Sequence, residues 1–272
     1  MKFVVILLIV LICYIIFENF HIFKSKVNIK KDNVPDYFCS KKIAFLSDLH
    51  IRNSKFNCRM ILKHLRSRKT DMIVITGDFV SRHIKNIETA EWMLSELSSI
   101  APTYMSIGNH ELDLSESLIC ALKKAALKYG VFILDDEYIK LAEDVFICGA
   151  TAKNGCYRNQ NGGYKNLADY TLSDITKALG EKSGFTLLLA HNPLFFETYV
   201  KWGTDVVLCG HIHGGSIRIP FVCGLLSPER KFFPKYSSGI YQKEKTIMLV
   251  SRGIAKLRIF SPKHIIFLEI SK

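Results

Sequence analysis

A layered α/β body behind one N-terminal transmembrane helix is the fold class this sequence predicts. Three observations carry the prediction. From Lys41 onward, short β-branched runs alternate with segments of helical periodicity. The first 23 residues are almost wholly apolar. Five of the predicted strands end in residues able to bind metal.

The apolar segment comes first. Phe3 to Phe17 is an unbroken run, and its fifteen helical residues cover about 22 Å against the ~30 Å of a hydrocarbon core. Continuing to Phe23 supplies the missing length, with Glu18 as a polar interruption near one interface. No small-x-small cleavage pattern follows, so residues 1–23 read as an uncleaved, single-pass anchor in the cell membrane rather than a signal peptide. Lys24, Lys26, Lys30 and Lys31 follow the run while only Lys2 precedes it, which places the body on the cytoplasmic side. Residues 24–40, charged and containing Pro35, read as a linker, and residues 41–272 as the folded domain.

The composition suits a folded body. With 49% hydrophobic and 23% charged residues among 272, extensive disorder is excluded. The net charge of +12 favours anionic partners: phosphorylated metabolites, nucleic acid or acidic lipid. The eight cysteines (Cys13, Cys39, Cys58, Cys120, Cys148, Cys156, Cys209 and Cys223) contain no pair at zinc-knuckle or redox spacing. They read as small hydrophobes in a reducing compartment.

Within the body, Ile43–Ser47, Met72–Thr76, Thr103–Ile107, Phe185–Ala190 and Asp205–Cys209 read as buried strands. Cys58, Ile61, Leu62 and Leu65 recur at helical spacing, and Glu88–Ser99 and Ser115–Tyr129 read as further helices. Lys153–Lys165, with Gly155, Gly162 and Gly163, is the longest predicted loop and a candidate border of a cleft.

The residues just past these strands carry the chemistry. In order, they are Asp48-Leu49-His50, Gly77-Asp78, Gly108-Asn109-His110-Glu111, His191-Asn192-Pro193 and Gly210-His211-Ile212-His213-Gly214-Gly215. Ligands of open α/β sheets bind at the carboxyl ends of strands, so two carboxylates, one amide and several imidazoles would meet in one place. Oxygen mixed with neutral imidazole suits Mn²⁺, Fe, Zn²⁺ or Co²⁺ better than Ca²⁺. Turn and capping chemistry alone accounts for an isolated Asp-x-His or Gly-Asp, and a lone His191 for a satisfied interior histidine. Gly-His-x-His-Gly-Gly and Gly-Asn-His-Glu fit neither a helix face nor a strand period. Asp113, Asp135, Asp136 and His64 read as ordinary surface residues.

These five blocks, in this order, resemble the calcineurin-like metallophosphoesterase superfamily. The likeness runs from about Lys41 to the C-terminus. Ala190-His191-Asn192-Pro193, the extended Gly-His-Ile-His-Gly-Gly and Ser251-Arg252-Gly253 are similar to its small membrane-associated bacterial branch. The resemblance implies a four-layer α-β-β-α sandwich and two divalent ions, manganese the first choice. Asp48, His50 and His213 would hold one ion and Asn109, His191 and His211 the other, with Asp78 bridging. His110 would protonate the leaving group or stabilise its charge. Two positions depart from the family's usual residues. Glu111 stands where Asp is frequent, and Ala150-Thr151 follow Gly149 where an acidic residue is frequent.

The activity so implied is hydrolysis of a phosphoester or pyrophosphate bond by metal-bound hydroxide. The anchor and basic charge point to a membrane-associated anionic substrate such as UDP-diacylglucosamine. A salt-sensitive nuclease and a non-catalytic membrane scaffold are the rival readings. The first lacks an aromatic-basic stacking platform, and the second has no need of His110.

Overall fold

The computed structural model describes residues 2–215, 217–219, 223–227, 232–255 and 258–272. The chain begins with helix α1 (Lys2–Phe20), then β1 (Ile22–Lys30), β2 (Ile43–Leu46), α2 (Phe56–Arg66), β3 (Met72–Thr76), α3 (Glu88–Ser98) and β4 (Thr103–Ser106). A short helix α4 (Asn109–Leu112), α5 (Glu116–Lys128) and β5 (Phe132–Leu134) complete the first half. The second half comprises β6 (Glu137–Ala142), β7 (Val145–Ala150), α6 (Leu172–Leu179), β8 (Phe185–Ala190), α7 (Phe196–Trp202) and β9 (Val206–Cys209). It continues through a small hairpin, β10 (Ile217–Ile219) and β11 (Cys223–Leu226), to β12 (Gly239–Lys243), β13 (Thr246–Val250) and β14 (Lys263–Ser271).

Two six-stranded mixed sheets form, with orders β1-β14-β2-β3-β4-β5 and β12-β13-β9-β8-β7-β6. The site-bearing strands β2, β3 and β4 run parallel, as do β8 and β9. Their burial explains the layering. Ala44, Leu46, Ile73 and Ile75 pack with α2, α3 and α5 on one side. The alternate residues Ile43, Phe45, Met72 and Val74 meet Ile147, Leu187, Leu189 and Leu208 of the other sheet. Leu188, Val207 and Met248 then face Ile175, Leu179, Tyr199 and Trp202 of α6 and α7. Period-two alternation within strands buried on both faces therefore makes three apolar layers inside four structural ones, the predicted α-β-β-α sandwich.

The predicted strands are present to within a residue at their ends, and Cys148 and Cys209 lie buried in β7 and β9. The side chain of Cys223 lies outside the described residues. Two differences concern the N-terminus. Helix α1 stops at Phe20, because Ile22 turns into the core with no exposed surface. The segment read as a linker carries most of β1, which pairs in parallel along β14 from Ile22–Lys263 to Lys30–Ser271. Ile22 and Ile29 point inward while Lys24, Lys26 and Lys30 stand exposed, so the lysines disguise a half-buried strand. Helix α1 itself spans about 28 Å and is apolar and exposed almost throughout, long and apolar enough to cross a membrane.

Candidate metal centre

Each predicted site residue sits one to four residues beyond a strand: Asp48 and His50 after β2, Asp78 after β3, Asn109 and His110 opening α4, His191 after β8, His211 and His213 after β9. The carboxyl ends of both sheets thus converge on one point. The turns that achieve this are strained. Asp48, His50, Asp78, His211 and His213 all have positive φ, between 46° and 68°. Left-handed backbone costs a non-glycine residue ~1–2 kcal/mol, and such strain concentrates at functional sites. Two glycines make room: a Cβ on Gly108 would stand 2.4 Å from Asp78 Oδ1, and one on Gly253 2.6 Å from Asp48 Oδ2.

The structure brings all eight predicted site residues together. Donor atoms of Asp48, His50, Asp78 and His213 lie within 4.8 Å of one another. On the other side, His191 Nε2 is 3.3 Å from Asp78 Oδ2, 3.2 Å from Asn109 Oδ1 and 3.2 Å from His211 Nδ1. Asp78 Oδ2 belongs to both groups, being also 3.7 Å from His50 Nε2. His110 stands beside them, with Nε2 3.9 Å from Asp78 Oδ2.

The protonation pattern suits cations. His191 Nδ1 donates to the Thr76 carbonyl at 2.7 Å, which turns Nε2 toward the cluster. Burial lowers this imidazole, but the Asp78 and Asp48 carboxylates outweigh it and raise it to about 9, so a bound cation would take the place of the Nε2 proton. The Arg82 amide donates to His110 Nδ1 at 3.2 Å, which places the His110 proton on Nε2. Burial pushes the His50 imidazole down to about 4 and that of His110 to about 3, so both are neutral near pH 7. Burial opposes ionisation of Asp48 and Asp78, yet His213 beside the first and His191 beside the second hold both carboxyls below the usual range. Two ionised carboxylates with at most 2% exposure require compensating positive charge. Donors ~2.1 Å from one divalent ion stand ~3–3.5 Å apart, the spacing of the closer pairs here, His191 with Asp78, Asn109 and His211, and His213 with Asp48, at 3.2–3.3 Å. The donor set therefore fits divalent metal.

Sequence reasoning missed several residues here. Glu111, noted only as a departure, clamps the loop after β3 to the turn that opens α4: Oε2 accepts the Asp78 and Gly108 amides at 2.8 and 2.9 Å, and Oε1 the Val80 amide at 2.9 Å. Glu111→Ala should leave three buried donors unpaired and lower stability by at least about 3 kcal/mol, read as a shift in urea midpoint. An unchanged midpoint would contradict this clamp. Asp113, read as an ordinary surface residue, pairs with both Arg82 and Arg158. These arginines line a cavity of ≈ 130 Å³ beside the cluster, with Tyr157 and Tyr164 from the predicted cleft loop. A second, larger cavity of ≈ 500 Å³ opens on the other side of His50, His110 and His213, walled by Leu49, Ile51 and Ile61. The loop Lys153–Lys165, read as a candidate cleft border, does line the smaller cavity, while no motif signals the larger one.

Comparison with known proteins agrees with this geometry. Residues 41–215 match the family model for calcineurin-like phosphoesterase. The chain is 26% identical over 253 residues to the uncharacterized metallophosphoesterase YkoQ of Bacillus subtilis (strain 168), covering 89% of this chain and 87% of that one. It is 24% identical over 244 residues to phosphodiesterase YaeI of Escherichia coli (strain K12), covering 88% and 82%. Among solved structures, TT1561 of Thermus thermophilus shares the fold with a TM-score of 0.51 at 11% identity, over 79% of this chain and 90% of that one. With the family model spanning most of the body and a candidate site for divalent metal at its strand ends, the chain belongs to the calcineurin-like phosphoesterase family and is a metal-dependent phosphoester hydrolase.

Proposed function

We propose that the protein is a membrane-tethered, dinuclear metal-dependent hydrolase acting on a phosphoester or pyrophosphate bond of an anionic amphiphile. The carrying observation is the position of Asp78, whose Oδ2 faces His50 on one side and His191 on the other. On this reading Asp48, His50 and His213 hold one ion, Asn109, His191 and His211 the other, and Asp78 is shared. Manganese is the first choice, and Fe, Zn or Co suit the same oxygen–imidazole set. When bound, two such ions neutralise phosphoryl charge and acidify water to supply the nucleophile.

The chain's own residues do the rest. His110, with its proton on Nε2, stabilises or protonates the departing oxygen. Arg82 and Arg158, held by Asp113, present positive charge to the polar part of the substrate. The larger cavity offers apolar walls that reach the same three histidines, and it supports an apolar substituent on the phosphorylated group. Phe56, next in sequence to the cavity-lining Asn57, meets Phe20 at the end of α1 edge-on at 6.1 Å. The cavity therefore lies near the end of the proposed anchor, where a lipid substrate resides. The lysines after α1 support a body on the cytoplasmic side.

UDP-diacylglucosamine in mixed micelles, compared with its soluble headgroup, tests the amphiphile reading. Acyl binding in the cavity should raise kcat/KM at least ~10-fold. Equal values would remove the lipid and leave a tethered general phosphoesterase.

A further inference from the structure

Helix α1 contains no candidate ligand, yet its end is built into the body. Glu18 is buried at 1% exposure and its Oε2 accepts the Phe260 amide at 2.7 Å. Asn19 engages the neighbouring residue twice: Nδ2 donates to the Arg258 carbonyl at 2.9 Å, and Oδ1 accepts the Arg258 amide at 3.1 Å. Arg258, itself 1% exposed, donates from Nε to the Ala255 carbonyl at 2.7 Å. From Nη1 it donates to the His213 carbonyl at 3.3 Å. Ser261 Oγ donates to that same carbonyl at 3.0 Å. A continuous run of hydrogen bonds therefore joins the end of α1 to His213.

His213 needs such support. Its backbone has φ 58°, a conformation that persists only where its surroundings hold it. The His213 carbonyl is the atom by which Arg258 and Ser261 hold it, while its Nε2 stands 3.2 Å from Asp48 Oδ1 in the metal cluster. Stability alone does not account for the connection. Among the described residues, Glu18 Oε1 and Arg258 Nη2 are buried without hydrogen-bond partners. A partly satisfied buried polar cluster is less stable than apolar packing of the same volume.

We propose that Glu18 and Asn19 are positioning residues for the metal site. They act through the 258–261 segment on His213, so the seating of α1 sets how tightly the ion on His213 is held. The proposal rests on the reading of His213 as a ligand. It goes beyond that reading in making the last turn of the apolar helix part of the site.

Mn²⁺ titration of the full-length protein in detergent micelles, followed by electron paramagnetic resonance of the free ion, tests it. Wild type should give two binding steps. Asn19→Leu and Glu18→Leu should each weaken one step by ~10-fold, the scale expected when a ligand's supporting contacts are lost, and leave the other in place. Leu11→Ala, an exposed position on the same helix, should change neither. His213→Ala should abolish the step that Asn19→Leu weakens. If His213→Ala leaves both steps intact, the ligand reading falls. If His213→Ala loses one step while Asn19→Leu and Glu18→Leu match Leu11→Ala, the coupling falls and the ligand reading stands. Equal weakening of both steps by Asn19→Leu, with a lowered melting temperature, would also overturn the coupling, since general loosening has no preference between ions.

Discussion

Asp78→Ala is expected to lose at least one of two bound ions and to lower turnover by ~10³-fold or more. Its carboxylate is the group whose Oδ2 faces both halves of the donor cluster. Its Oδ1 is separately engaged by the His110 amide at 2.7 Å. Removing it deletes the proposed shared anion, the carboxylate that faces both His50 and His191. Charge stabilisation by metal is worth several kcal/mol, and each 1.36 kcal/mol is a factor of ten in rate. Elemental analysis of the purified variant alongside an assay reads both effects. Two ions per chain with near-normal turnover would mean that Asp78 bridges nothing.

His110→Ala should separate chemistry from metal binding. The His110 ring packs against His50 with Nδ1 atoms 3.0 Å apart, but the proposed ligand sets are complete without it. Metal content should stay near wild type while turnover falls ~10²- to 10⁴-fold, the range of a positioned proton donor. The loss should be largest for esters with poor leaving groups, which depend most on assistance at the departing oxygen. A uniform loss across leaving groups would assign His110 to orientation instead.

How much of this was legible in the sequence depends on the range of each signal. Strands such as Ile43–Leu46 and Phe185–Ala190 are buried on both faces, so an unbroken apolar run announces them. The ligands were equally visible, since each closes such a run within a few residues. Strand β1 was not, because Lys24, Lys26 and Lys30 dominate its composition while only Ile22 and Ile29 are deeply buried. Asp113 gave no sign of its role, because its partners Arg82 and Arg158 become neighbours only in the folded chain. The same holds for Asn19 and Arg258, 239 positions apart, whose pairing no local pattern encodes. Local periodicity reports burial of an element. The arrangement of loops beyond the strand ends is set by tertiary contacts that a linear reading does not contain.

The central claim is that two ions act together at the strand ends. Stepwise reconstitution tests it most directly: chelate the purified full-length protein, then follow hydrolysis of a phosphodiester as Mn²⁺ is returned in measured equivalents. The account predicts activity that disappears on chelation and returns only as the second equivalent binds. Full activity after the first equivalent, or activity indifferent to chelation, would contradict it.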